Sequence, residues 1–110
     1  MRRVLLIDRS GKDSEALAVE LRRRGFEVRV EDLQWRVAEE LCRPVPEWEF
    51  VLLVTRTTSE DDVKLLRELV KASQRAHQSG LPEFIFVSYA RCTSSLRIRI
   101  GRMGARYVRL

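Results

Sequence analysis

A chain of 110 residues, 45% of them hydrophobic, has the size and apolar content of one compact domain spanning residues 1–110, which excludes a second domain. Its longest apolar runs, at residues 4–7 and 50–54, fall far short of the roughly 20 residues that span a bilayer, and the first residues lack a signal-peptide pattern, so the expectation is a cytoplasmic protein with no membrane partner. The net charge of +5 is uneven, because residues 1–55 carry 10 basic and 11 acidic side chains whereas residues 56–110 carry 11 and 5.

Val4, Leu5, Leu6 and Ile7 form a short continuous apolar run, the pattern of a strand buried on both faces, and the turn-forming Asp8-Arg9-Ser10-Gly11 ends it. Residues 13–24 follow with good helix formers, with Ala16, Leu17, Val19 or Glu20, and then Leu21 at mixed helical spacing making one face apolar, and Gly25 as the stop. Residues 26–30 alternate apolar and charged side chains, as a half-exposed strand does. Asp32 can cap a helix over residues 33–42 that buries Val37, Ala38 and Leu41, before Pro44 and Pro46 break the chain.

Residues 50–54 repeat the buried-strand pattern. Ser59 and Asp62 then form a capping-box-like helix start, and the acids at positions 60 to 62 favour a helix N-terminus. Val63, Leu66, Leu69, Val70, Ser73 and Ala76 line one side of this helix, which Gly80 and Pro82 end before the apolar strand at residues 84–87. Residues 96–103 fit two periods: Leu96, Ile98 and Ile100 alternate like a strand, while Leu96, Ile100 and Met103 share a helix face. The helix is preferred, because strand and helix have already alternated three times and such crossovers build parallel sheets. The fold class that results is α/β, a doubly wound five-stranded parallel sheet that stops after its fifth strand, with Asp8, Thr55, Ser88 and the end of the last strand converging at the carboxyl ends.

Several site chemistries find no support. Cys42 and Cys92 are 50 positions apart without a second Cys or His at ligand spacing, so they read as two reduced thiols and no metal site is expected. His77 reads as a surface residue, and the five glycines never assume a phosphate-cradling spacing. Trp48, just before a buried strand, reads as a lid on the core, and Trp35 as the better contact candidate. From residue 84 onward there are six arginines, at 91, 97, 99, 102, 106 and 109, and no acid, which creates a positive field that attracts phosphates or acidic partners. Arginine outnumbers lysine 18 to 3 over the whole chain, so part of that enrichment is a global usage bias.

The chain resembles the receiver domain of bacterial response regulators through V-L-L-I-D at 4–8, E-F-V-L-L-V at 49–54, F-I-F-V-S at 84–88 and G-A-R-Y-V at 104–108, a likeness that covers nearly all of it. The resemblance implies a flavodoxin-like fold and a phosphorylation pocket with two acids after the first strand, an aspartate ending the third, a small hydroxyl ending the fourth and a lysine ending the fifth. Here Asp8 and Ser88 match, but the second acid position is Arg9, the phosphoacceptor position is Val54 and the lysine position falls near Leu110, while Tyr107 matches the family's switch aromatic. Magnesium requires oxygen ligands and phosphotransfer an acceptor carboxylate beside it, so Arg9 and Val54 remove both requirements. Arg9 either takes the place of the metal and pairs with Asp8 or is a solvated turn arginine.

The expectation is therefore a degenerate receiver with no catalytic residue, no cofactor and no metal, a non-enzymatic signalling or protein-interaction module that works without phosphorylation. With Leu96, Ile100 and Met103 inward, Ile98 stands outside among Arg97, Arg99 and Arg102, near Arg106, and this apolar residue ringed by arginines suits a partner protein or a second copy forming a homodimer. Family receivers continue into another helix beyond the fifth strand, so the face this chain leaves open is expected to be covered by that association. The alternative reading is nucleic-acid binding through the C-terminal arginines, although no helix-turn-helix or aromatic RNA-binding motif accompanies them.

Overall fold

The computed structural model describes residues 2–9, 14–31, 48–56, 59–76 and 82–110. The expected helix at 33–42 with Asp32, Trp35 and Cys42, and also His77, lie outside these residues. In chain order the elements are β1 (Arg3–Asp8), α1 (Ser14–Arg23), β2 (Glu27–Glu31), β3 (Phe50–Thr55), α2 (Glu60–Ala76), β4 (Glu83–Ser88), α3 (Ser94–Arg102) and β5 (Arg106–Arg109).

The five strands form one parallel sheet in the order β2-β1-β3-β4-β5. The order reverses direction at β1, so the carboxyl ends of β1 and β3 flank the crevice where open α/β sheets bind ligands. The central strands are apolar through their interiors, at Val4–Ile7, Phe50–Val54 and Phe84–Val87, because both faces are covered. One core holds Leu5, Ile7, Val51, Leu53, Phe84 and Phe86 against Val63, Leu66, Leu69, Leu96 and Ile100 of α2 and α3. The other holds Val4, Leu6, Val28, Leu52, Val54 and Val87 against Ala18, Leu17 and Leu21 of α1. Burial on this scale, at about 25 cal/mol per Å2 of apolar surface, is what offsets the chain entropy of folding.

Residues 96–103 are helical: Thr93 caps α3 by accepting a hydrogen bond from the Leu96 amide, and Leu96 and Ile100 are buried while Ile98 is 55% exposed. Gly25 and Gly104 end α1 and α3 in the left-handed region, at φ of 94° and 83°. In both cases the glycine amide and the next amide turn back onto the last helical carbonyls, Gly25 to Arg22 and Phe26 to Leu21, Gly104 to Gly101 and Ala105 to Ile100. The expected apolar face of α1 is corrected, because Val19 is 47% exposed and Ala16 faces solvent, whereas Ser14 and Ala18 carry the buried contacts. Ser14 and Ala18 are four residues apart and so share one face of the helix, which Val19 does not. Trp48 is buried as the core lid, with the Arg3 guanidinium 4.7 Å from its ring centroid. No helix among the described residues is long and apolar enough to cross a membrane.

Candidate functional site

Register brings the expected pocket residues to one end of the sheet. Asp8 lies beside Val54 across the β1/β3 pair, and Thr55 lies beside Ser88 across β3/β4. Strand alternation then separates them by face: Asp8 shares a side with Val54 and Val87, while Thr55 and Ser88 share the other with Arg9. The Arg9 amide donates to the Val54 carbonyl at 2.9 Å, which carries the ladder one residue beyond β1.

The Asp8 carboxylate accepts a 2.6 Å hydrogen bond from the Ser14 hydroxyl at the start of α1. Its neighbour across the strand pair, Val54, is 0% exposed within the α1-side core, so an aliphatic side chain occupies the position facing that carboxylate. Thr55 is buried and its hydroxyl has no hydrogen-bond partner among the described residues, while Ser88 turns its hydroxyl onto the Ala90 carbonyl at 2.8 Å.

Arg9 does not pair with Asp8, as one of the two sequence expectations had it; it is exposed at the bend after β1, as the other had it, and there it forms an ion pair with the start of α2. Its Nε lies 2.8 Å from Asp62 Oδ1, and Asp62 is itself 6% exposed. Asp62 Oδ2 meanwhile accepts from the Ser59 amide at 3.1 Å and the Ser59 hydroxyl at 2.9 Å, and the Ser59 oxygen accepts from the Asp62 amide at 3.2 Å. This is a reciprocal capping box whose carboxylate uses its second oxygen to hold a cation from β1. A carboxylate in the first turn of α2 also suits the positive end of the helix dipole. Sequence spacing exposed the cap but not its second partner, since Arg9 and Asp62 meet only after two crossovers.

The described residues of this arrangement do not supply the ligand set of a divalent cation. Hard cations need several oxygen ligands, yet beside Asp8 stand a guanidinium on the next residue and an aliphatic side chain on the next strand, and no group of three acidic, His or Cys side chains among the described residues is placed to hold a metal.

The second expected site, the arginine face, is divided by the structure. Arg99 of α3 makes a two-pronged contact with Glu60 of α2, at 2.8 and 2.7 Å, and Arg106 pairs with Glu83 at 2.7 Å. Arg106 also alternates to the opposite side of β5 from Tyr107, so the arginines expected around Ile98 do not form one ring. Arg91, Arg97, Arg102 and Arg109 make no ion pair among the described residues. The positive field available to a partner is thus narrower than the count of six implies.

Tyr107 is half-buried between two layers. Its ring stacks on Phe86 at 6.3 Å and 25°, the Arg97 guanidinium lies 5.3 Å from its centroid, and its hydroxyl is 3.4 Å from the same Ala90 carbonyl that accepts from Ser88. A shallow groove beside it is lined by Ser94, Arg97, Ile98 and Tyr107, and an adjoining one of about 330 Å3 by Arg91, Cys92, Arg97, Tyr107 and Arg109.

The hydrogen bond from Arg99 holds the Glu60 carboxyl below its ordinary value of 4.5 against an opposing desolvation, with the charges of Arg99, Lys64 and Arg67 adding to the lowering. Because the folded value is the lower one, the pair stabilises the fold above the ordinary glutamate value and loses that contribution as pH falls through the lowered one. In an Arg99→Gln variant the Glu60 carboxyl is expected to titrate at higher pH, which carboxyl-carbon NMR reads directly; an unchanged titration would mean that the contact is not formed in solution.

The molecule's structural neighbours are response-regulator receiver domains. It superposes on the non-phosphorylated HemR receiver domain of Leptospira biflexa with a TM-score of 0.72 at 22% identity, covering 99% of this chain and 82% of that one. The Vibrio cholerae chemotaxis protein CheY4 gives 0.71 at 14% identity, covering 100% and 85%. A Burkholderia pseudomallei response regulator, solved with a phosphorylated aspartic acid, a calcium ion and citrate, gives 0.70 at 17% identity, and here the chain covers 99% of itself but 59% of the other. No protein-family model and no curated protein matches the sequence. The fold is thereby that of the receiver-like, flavodoxin-like α/β class, with the strand order that class requires.

Proposed function

We propose that the protein is a receiver-like signalling module that acts by binding other proteins and carries neither phosphotransfer nor any catalysis of its own. One observation supports this above the others: Asp8 faces the buried Val54 across the β1/β3 pair while the neighbouring Arg9 is held by Asp62. Phosphoryl transfer to a carboxylate needs an acceptor, a cation to neutralise the transferred group and space for both. Among the described residues this end of the sheet offers Asp8, which accepts from Ser14, and Asp62, which is engaged by Arg9 and Ser59.

The experiment is incubation with acetyl phosphate and magnesium followed by intact-protein mass spectrometry, alongside a competent receiver domain. The expected result is no added phosphoryl group under conditions that label the competent domain. A stoichiometric phosphoryl group on Asp8 would overturn the reading.

A further inference from the structure

We propose that the hollow lined by Arg91, Arg97 and Arg109 binds a condensed phosphate, the di- or triphosphate group of a small molecule, and so gives the protein a ligand site of its own. Asp8, Val54, Thr55 and Ser88 do not line this hollow, so the site is separate from the residues that stand in place of a phosphorylation pocket, and it goes beyond the reading of the protein as an interaction module without resting on it.

Of the six arginines beyond residue 84, Arg99 and Arg106 hold Glu60 and Glu83. Arg91, Arg97 and Arg109 are exposed, make no ion pair among the described residues, and line one concavity of about 330 Å3 together with Cys92 and Tyr107. They reach it from three places in the chain: Arg91 from the connection after β4, Arg97 from the first turns of α3 and Arg109 from the end of β5. The chain carries no acid from residue 84 onward, so the segments that build the hollow bring no counter-charge with them. Three like charges around one hollow repel one another, and a bound anion relieves that repulsion.

Charge and shape together select the anion. A carboxylate is planar and offers its two oxygens to one guanidinium, whereas a phosphate presents oxygens in several directions and can meet guanidiniums arriving from three segments. A phosphate monoester carries roughly two negative charges near neutral pH, short of three guanidiniums, and a second or third phosphoryl unit makes up the difference. The hollow is at the small end of the roughly 300–1,000 Å3 that ligand pockets occupy, so it takes a compact group and leaves the rest of a larger molecule outside. Tyr107, the aromatic residue of the lining, is already in contact with Phe86 and with the Arg97 guanidinium. Recognition therefore rests on the charges, and inorganic triphosphate and the triphosphate of a nucleotide share the chemistry that this site reads. A nucleic-acid strand instead calls for a run of cations tracking its backbone, and the arginines that would extend such a run along α3 and β5 include Arg99 and Arg106, which are engaged.

The test is isothermal titration calorimetry of the whole protein, in moderate salt and without magnesium, against inorganic triphosphate, ATP, citrate and a single-stranded oligothymidine. Inorganic triphosphate is expected to bind at one site per chain, and citrate, an anion of carboxylates, roughly tenfold or more weakly. The Arg97→Gln/Arg109→Gln variant should weaken triphosphate by roughly tenfold or more, as the loss of two charge-assisted contacts predicts. Arg102→Gln removes the same kind of charge from an exposed arginine of α3 that does not line the hollow, and should leave the affinity unchanged. Equal thermal melting without ligand shows that the variants are folded; should the double variant melt lower, Arg91→Gln, which leaves the Arg97 contact with Tyr107 in place, decides by a several-fold loss. ATP binding as tightly as triphosphate extends the ligand to nucleotides, and triphosphate binding alone restricts it to inorganic condensed phosphate; both support the proposal. Failure of triphosphate to bind, citrate binding as tightly, an equal loss in Arg102→Gln, or tighter binding of the oligothymidine through the same arginines would each overturn it. None of those outcomes alters the phosphodonor result, and phosphorylation of Asp8 would not alter the triphosphate result, so the two claims fail separately.

Discussion

Replacing Val54 with aspartate is expected to lower the free energy of unfolding at neutral pH by about 3–5 kcal/mol, the cost of an uncompensated charge in a packed interior. Val54 is fully buried, packed among Val4, Leu6, Val28, Leu52 and Val87 on the α1 side of the sheet. Its neighbour in register is Asp8, so the new carboxyl would face both desolvation and a like charge. Either one raises a carboxyl's pKa, and the two act in the same direction.

The sign of the pH dependence follows. The introduced carboxyl has a higher pKa folded than unfolded, so its penalty is complete above the folded value and shrinks as pH falls toward the ordinary aspartate value of about 3.9. The difference in stability between variant and parent, measured by urea denaturation, is therefore expected to narrow between neutral and mildly acidic pH. Val54→Ala separates charge from packing: it should cost about 2 kcal/mol, through lost methyl contacts, with a difference from the parent that does not change with pH. A Val54→Asp variant as stable as the parent would mean that this position opens to solvent, and with it the argument that an aliphatic residue closes the pocket would fall. The same substitution measures how far the pocket lies from a phosphoacceptor, since an acid at this position is tolerated only where a cation or water meets it.

How much of this was legible beforehand depends on the range of the interaction. The strands were readable because an apolar run such as Val4 to Ile7 has one stable solution, burial on both faces. The Ser59/Asp62 cap was readable because its partners are three residues apart, and α3 because three earlier alternations of strand and helix predicted another crossover. The face of α1 was read less well: Val19 looked like a core residue by type, but Ala18, the smaller neighbour, sits against the sheet. Among the candidate site residues, type and position along a strand placed Asp8, Val54 and Ser88 at one end of the sheet. Partner choice was not accessible in the same way. Arg9 finds Asp62 and Arg99 finds Glu60 across 53 and 39 positions, and both acids belong to the first turn of α2, which the sequence presents only as a favourable helix start. The pairings come from the docking of α2 between β1 and α3. The Arg99–Glu60 contact, together with Arg106–Glu83, engages two of the six C-terminal arginines, which is why the arginine-rich C-terminus is a narrower electrostatic feature than its composition implies.

Removing the Asp62 carboxylate is expected to be nearly as costly as charging Val54. Asp62→Ala deletes both capping bonds to Ser59, worth about 1 kcal/mol, and also strips the Arg9 guanidinium of its partner. Arg9 keeps 30% of its side-chain surface in water and can turn outward, so this second part is well below that of a fully buried pair, and the total is expected to reach about 2–3 kcal/mol. Asp62→Asn keeps an oxygen for the cap while losing the charge, and should cost about half as much. Arg9→Ala leaves the carboxylate capped by Ser59 and should cost about 1 kcal/mol, so in the double variant the two losses should fall short of their sum. Strict additivity would show that the contact contributes nothing in solution. A coupled result has a structural reading: β1 and the start of α2 are locked together at the mouth of the sheet, and amide exchange at Ser59 and Asp62 should accelerate in Arg9→Ala even though the cap itself is untouched. The lock joins β1 to the start of the helix that follows β3, and so ties together two elements at the carboxyl end of the sheet.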